Sequence, residues 1–145
     1  MTAQMERTRS QELVSEELFD SIVNQVARDT GVETDRAVRQ VGEALKYLQL
    51  VADNPGAGYA VSPEVDHGWH GFILHTRAYQ RFCKELTSGS FIHHDPTPNY
   101  GTPKKVGETV AAMCASGMRV DHEIWDGTSS CSCCKPAAPC GSNIA

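Results

Sequence analysis

Asp66 and His70 stand four residues apart in a stretch whose apolar residues recur at helical spacing. On a helix that spacing puts both side chains on one face. The carboxylate can then accept an imidazole N–H, fix the tautomer and leave the other ring nitrogen directed at a metal, a proton or a substrate. Arg77 falls within about 40° of them on the same helical wheel, so the three line one seam between core and solvent. The adjacent pair His93-His94 lies in a loop after this helix, and in a compact chain that loop must turn back over a neighbouring helix. An imidazole from it reaching His70 would complete a His, His, carboxylate set, which suits zinc or another divalent ion. His67, one turn from His70, ranks lower because the wheel places it further toward water. The plainer reading is that Asp66 and His70 are a hydrogen-bonded pair closing the rim of a core, with His93 and His94 bonded to backbone.

A second group of potential ligands is sulfur. Four of the six cysteines, Cys131, Cys133, Cys134 and Cys140, fall in the last fifteen residues. Cys131 and Cys134 have C-x-x-C spacing, and thiolates this close chelate soft ions such as zinc or cuprous copper. Disulfides are the competing state, which a reducing cytoplasm disfavours. The interleaved Ser129, Ser130 and Ser132 also suit a modifiable segment of a ribosomally made peptide, with residues 13–125 as a folded leader. Cys83 and Cys114 sit on helical apolar faces and read as small apolar residues.

Four helices are needed to position these groups. Residues 1–12 are polar and read as a flexible start. Ser15 caps a first helix with Leu18, Ile22, Val23 and Val26 on one stripe, and Gly31 stops it. Thr34 caps a second, which Asn54-Pro55-Gly56 ends. Ser62-Pro63 opens a third helix running to about Leu86, with Val65, Trp69, Phe72, Ile73, Thr76, Tyr79, Cys83 and Leu86 in one core-facing arc. Trp69, Phe72 and Tyr79 therefore read as core rather than as a cofactor box. Thr102-Pro103 opens a fourth helix, and Val120–Trp125 is a short closing segment. The fold class is all-α: a bundle of about four helices over residues 13–125, then a disordered Cys-rich tail, 126–145.

The chain has 145 residues, 18 acidic and 13 basic, for a net charge of −5. That balance argues against gripping nucleic acid, which needs clustered Lys and Arg. No apolar run approaches a membrane span and the first residues lack the apolar stretch of a signal peptide, so a cytoplasmic protein is expected.

Asp66-His67-Gly68-Trp69-His70, continued by an aliphatic run, Tyr79, Phe82-Cys83 and Phe91-Ile92-His93-His94-Asp95-Pro96, resembles the glycine-rich domain-containing protein-like family over about residues 13–125. The resemblance implies a helical fold and a polar constellation at Asp66, His70 and His93 or His94, and it brings no assigned reaction. The expectation is a non-catalytic metal-binding module: Asp66, His70, His93 and His94 hold zinc or copper, the tail thiols hold soft metal independently, and no organic cofactor is indicated. Its partners would be the metal ion and, for the tail, a modifying enzyme or another protein. One rival is a metal-dependent hydrolase-like enzyme with His70 as base or ligand, Asp66 orienting it and Arg77 holding an anion. The other is the modified-peptide precursor.

Overall fold

The computed structural model describes residues 7–95 and 102–126, together with the backbone of 134–135 and 138–139. The described residues form an all-α fold of seven helices, beside a two-residue antiparallel ladder of β1 (Cys134–Lys135) and β2 (Ala138–Pro139). The stretch read as a flexible start carries structure from Thr8 onward. Thr8 and Gln11 form a capping box on α1 (Arg9–Glu12), and buried Ser10 donates from Oγ to the Leu45 carbonyl at 2.6 Å. A polar segment is thus held by hydrogen bonds rather than by apolar burial.

In α2 (Glu16–Thr30) the Ser15 hydroxyl accepts from the Leu18 N–H, two glutamates favour the first-turn dipole, and Gly31 closes the helix at φ 75°. α3 (Thr34–Asp53) starts at the residue expected to cap it, so the cap position falls one residue earlier, on Glu33, which makes no side-chain bond. α4 (Pro63–Ile73) carries the Ser62 cap and Pro63 at its first turn, and α6 (Pro103–Ala115) carries Thr102 and Pro103 in the same roles. α7 (His122–Trp125) is the closing segment.

The largest departure from the sequence reading is the third helix, which is two helices. α4 ends at Ile73 and α5 (Thr76–Thr87) begins after a break at Leu74-His75. His75 has the non-helical ψ of 68° that turns the chain. Its Nδ1 donates to the Gly71 carbonyl at 2.9 Å, which leaves Nε2 to accept from the Ser21 hydroxyl at 2.8 Å. The side chain satisfies a carbonyl left over at the end of α4 and ties the turn to α2. Val65, Trp69, Phe72, Tyr79, Cys83 and Leu86 of the expected arc are buried, but Thr76 is exposed because it starts a new helix.

Among the described helices α3 touches all six others, and its most extensive partner, α4, also packs on α2, α5 and α7. The close approach of α4 to α3 depends on Gly68, whose missing Cβ would run into the Gln40 carbonyl, and its approach to α2 on Gly71, facing the Val26 methyl. Phe72, Tyr79 and Phe82 meet edge-on or stacked in the core between α4 and α5.

Charge on the other side of α3 fixes α7. Arg36 forks onto Glu64, and Arg39 forks onto Asp121 and reaches Glu123. Buried Glu43 takes three donors: Lys46 Nζ at 2.7 Å, the Trp125 indole N–H at 3.0 Å and the Asp121 backbone N–H at 3.2 Å. The hydrogen bonds from Arg36 and Arg39 hold the Glu64 and Asp121 carboxyls below the usual carboxylate range, against the desolvation that would raise them. Both acids bind a proton more weakly folded than unfolded. Their stabilisation is therefore complete above about pH 5 and drains as pH falls through the depressed folded values. Asp121→Asn is expected to shallow the acid limb of a urea-unfolding series; a limb as steep as the parent's would assign the acid sensitivity elsewhere.

Candidate functional site

The fold brings the loop after α5 back onto α4. The tie is a relay of buried hydrogen bonds: the Trp69 indole N–H donates to the Tyr79 hydroxyl at 2.9 Å, and that hydroxyl donates to the Ile92 carbonyl at 2.7 Å. A buried tyrosine O–H needs a partner, and here it finds one on the returning backbone. Ile92 is buried beside it, while Phe91 stays largely exposed and packs edge-on against Tyr79. The relay also borders Cys83, a free, buried cysteine whose thiol burial pushes up, partly offset by bonds to Ile92 and Tyr79.

This return delivers His94 to Asp66. The His94 Nε2 is hydrogen-bonded to the Asp66 Oδ1 across 28 residues of sequence, and the His94 ring lies on Trp69 with centroids 4.3 Å apart. Both groups are partly shielded from water, with side-chain exposures of 17% for His94 and 37% for Asp66. A carboxylate orienting an imidazole on an indole face is a built polar pair, able to share a proton or to offer one oxygen and one nitrogen to a cation.

The other expected site residues fall differently. His70 is exposed, one turn beyond Asp66 on α4, and His67 is exposed as well. His93 packs its ring on Phe91 at 4.8 Å and turns toward a cleft of about 340 Å³ lined also by Tyr47, Tyr59, Trp69, Asp95 and Lys105. Arg77 leaves the seam: the break at His75 puts it on α5, where it is exposed, so the alignment with Asp66 and His70 on one continuous helix does not exist. Among the described residues no three His, Cys, Asp or Glu side chains converge to hold a metal ion. Trp69, Phe72 and Tyr79 are core residues, as their spacing predicts.

Cys131, Cys133 and Cys140 lie outside the described residues, and of Cys134 only the backbone is described. Cys114 is half-buried on α6 and disulfide-bonded, so it is more than a small apolar residue. No helix among the described residues is long and apolar enough to cross a membrane.

An all-α domain built around the α3–α4 pair, carrying a His–Asp pair at its rim, is the class of structure that these elements define. The chain belongs to the UCP032817-like family, whose model matches residues 8–115. That match overturns the resemblance to the glycine-rich domain-containing protein-like family. The residues that carried the resemblance, Trp69, Tyr79, Phe82 and Ile92 among them, are buried packing and relay positions, and such a pattern marks a way of holding a loop on a helix more than a particular family. No curated protein and no solved structure matches the chain.

Proposed function

We propose that this protein is a non-catalytic, metal-binding helical module whose ligands are Asp66, His94 and His70. The observation that carries the reading is the hydrogen bond between His94 and Asp66, assembled from a loop and a helix and held by the Trp69–Tyr79–Ile92 relay. Imidazole and carboxylate are donors that zinc and cupric copper accept. An ion bound here would replace the proton that Nε2 and Oδ1 now share, so affinity falls as pH falls. His70 is one helical turn from Asp66, about 5–6 Å between Cβ atoms, and its exposed ring joins by rotation. A third ligand recruited in this way makes an exchangeable site rather than a metal on which folding depends. In the reduced chain the tail thiols, by their spacing, form a separate soft-metal set.

The full-length chain with Cys114, Cys131, Cys133, Cys134 and Cys140 all changed to Ser separates the two sets, since Cys114, disulfide-bonded in the parent, would otherwise be left as a free thiol. Titrated with cobalt(II), it is expected to bind one ion with a spectrum lacking thiolate charge transfer, and Asp66→Asn or His94→Ala to weaken that binding at least about tenfold. Absence of cobalt and zinc binding in this variant, or equal affinity after Asp66→Asn, refutes the assignment. The parent chain's additional cuprous copper measures the tail.

A further inference from the structure

A groove of about 810 Å³ opens on the face of the molecule formed by α1, α3 and the turn after α6, away from Asp66 and His94. Its α3 wall runs from Val38 through Gly42 and Lys46 to Asp53, which at 1.5 Å per residue is about 22 Å. Its apolar floor includes Phe19 and Val38, and Val38 is 40% exposed. Its rim carries Arg7, Arg9 and Arg119 against one acid, Asp53, on a chain whose net charge is −5. None of the three arginines makes an ion pair among the described residues. Arg7 donates to the Gln11 carbonyl, and Arg9 to the carbonyls of Glu85 and Leu86 at 2.5 and 3.0 Å. Lys46, by contrast, is neutralised by Glu43.

Gly42 adds an independent observation. It lies inside α3, where glycine costs about 1 kcal/mol relative to alanine, yet a Cβ there would meet nothing within 4 Å. No packing among the described residues requires this glycine, unlike Gly68 and Gly71. Its effect is to leave the groove floor bare, so that another backbone can approach α3 closely.

We infer that the groove binds an acidic peptide segment of a partner protein, extended along α3, with carboxylates on Arg7 and Arg119 and an apolar side chain on Phe19 and Val38. The length of the wall fits about seven residues of extended chain, far more than one small anion covers. Guanidinium groups pair with carboxylates in fork geometry, and a cationic rim on an anionic molecule selects for an acidic partner. The apolar floor, which an apolar side chain fills and a phosphate backbone does not, favours peptide over nucleic acid.

The test uses a fluorescein-labelled heptapeptide of Glu and Asp around a central Leu, followed by anisotropy on the full chain. Binding is expected, weaker at high salt, and reduced about tenfold or more by Arg119→Glu and by Gly42→Leu, the second by filling the floor without removing charge. Gly42→Ala serves as a fold control and keeps the parent's urea midpoint or exceeds it. The inference is overturned if the peptide does not bind, if both variants bind it as the parent does, or if inorganic phosphate or a single-stranded oligonucleotide of equal charge displaces it more readily than unlabelled peptide.

Discussion

Gly68→Ala is expected to destabilise the protein by about 3 kcal/mol, read as a lowered urea midpoint with little change in slope. The added methyl would meet the Gln40 carbonyl oxygen and carbon and, at 3.0 Å, the Val41 nitrogen, all backbone atoms of α3. Backbone in mid-helix cannot step aside as a side-chain tip does, so α4 must back away from α3 and loosen the core around Val41 and Trp69. Gly71→Ala meets the Val26 Cγ2 at 2.5 Å, a side-chain atom, and is expected to cost about 1–2 kcal/mol. Gly42→Ala meets nothing and should gain up to about 1 kcal/mol from helix propensity. Three glycines in helices thus yield a graded series that runs from loss to gain. If Gly68→Ala proved as mild as Gly71→Ala, the close crossing of α3 and α4 would not be the organising contact of the fold.

Tyr79→Phe is the second large effect. The ring stays in its slot against Phe72 and Phe82, but the hydroxyl that accepts from Trp69 and donates to Ile92 is gone. Two buried polar groups lose their partner, at about 1–3 kcal/mol each. The more informative consequence lies at the rim: with the Ile92 carbonyl released, the segment carrying His94 loses its anchor to α4. The cobalt affinity proposed for Asp66 and His94 should fall along with stability, although Tyr79 touches neither ligand. Tyr79→Phe with normal metal affinity would mean that burial of Ile92 alone holds the loop.

Much of this architecture is legible from residue types. Ser15, Ser62-Pro63 and Thr102-Pro103 mark helix starts because capping chemistry is local, and the apolar stripes of α2 and α3 face inward because burial follows helical period. The break at Leu74-His75 is not legible, because nothing local forbids a helix there: no proline or glycine stands between Phe72 and Arg81. It is fixed by the His75 side chain bonding Ser21, 54 residues away. Joining α4 to α5 on one wheel placed Arg77 beside Asp66, and the error is confined to that join. The sequence implies the return of the His loop and points it at His70, whereas in the structure His94 meets Asp66. The signal that picks the register is Tyr79: a core tyrosine thirteen residues before Ile92 must find its hydroxyl an acceptor, and the only question is which carbonyl. The Arg39–Asp121 and Glu43–Trp125 bonds were also invisible, since surface-looking charges in a single sequence do not announce their partners across eighty residues.

The clamp on Glu43 has a consequence for where this protein ends as a cooperative body. The family match stops at residue 115, yet two of the three donors that satisfy that buried anion, the Asp121 amide and the Trp125 indole, come from beyond it. A chain cut at the homology boundary would keep α3 and strand a charge inside it. The shared ancestry and the smallest self-sufficient polypeptide therefore have different lengths, and the eleven residues from Ser116 to Asp126 belong to the second even though they fall outside the first.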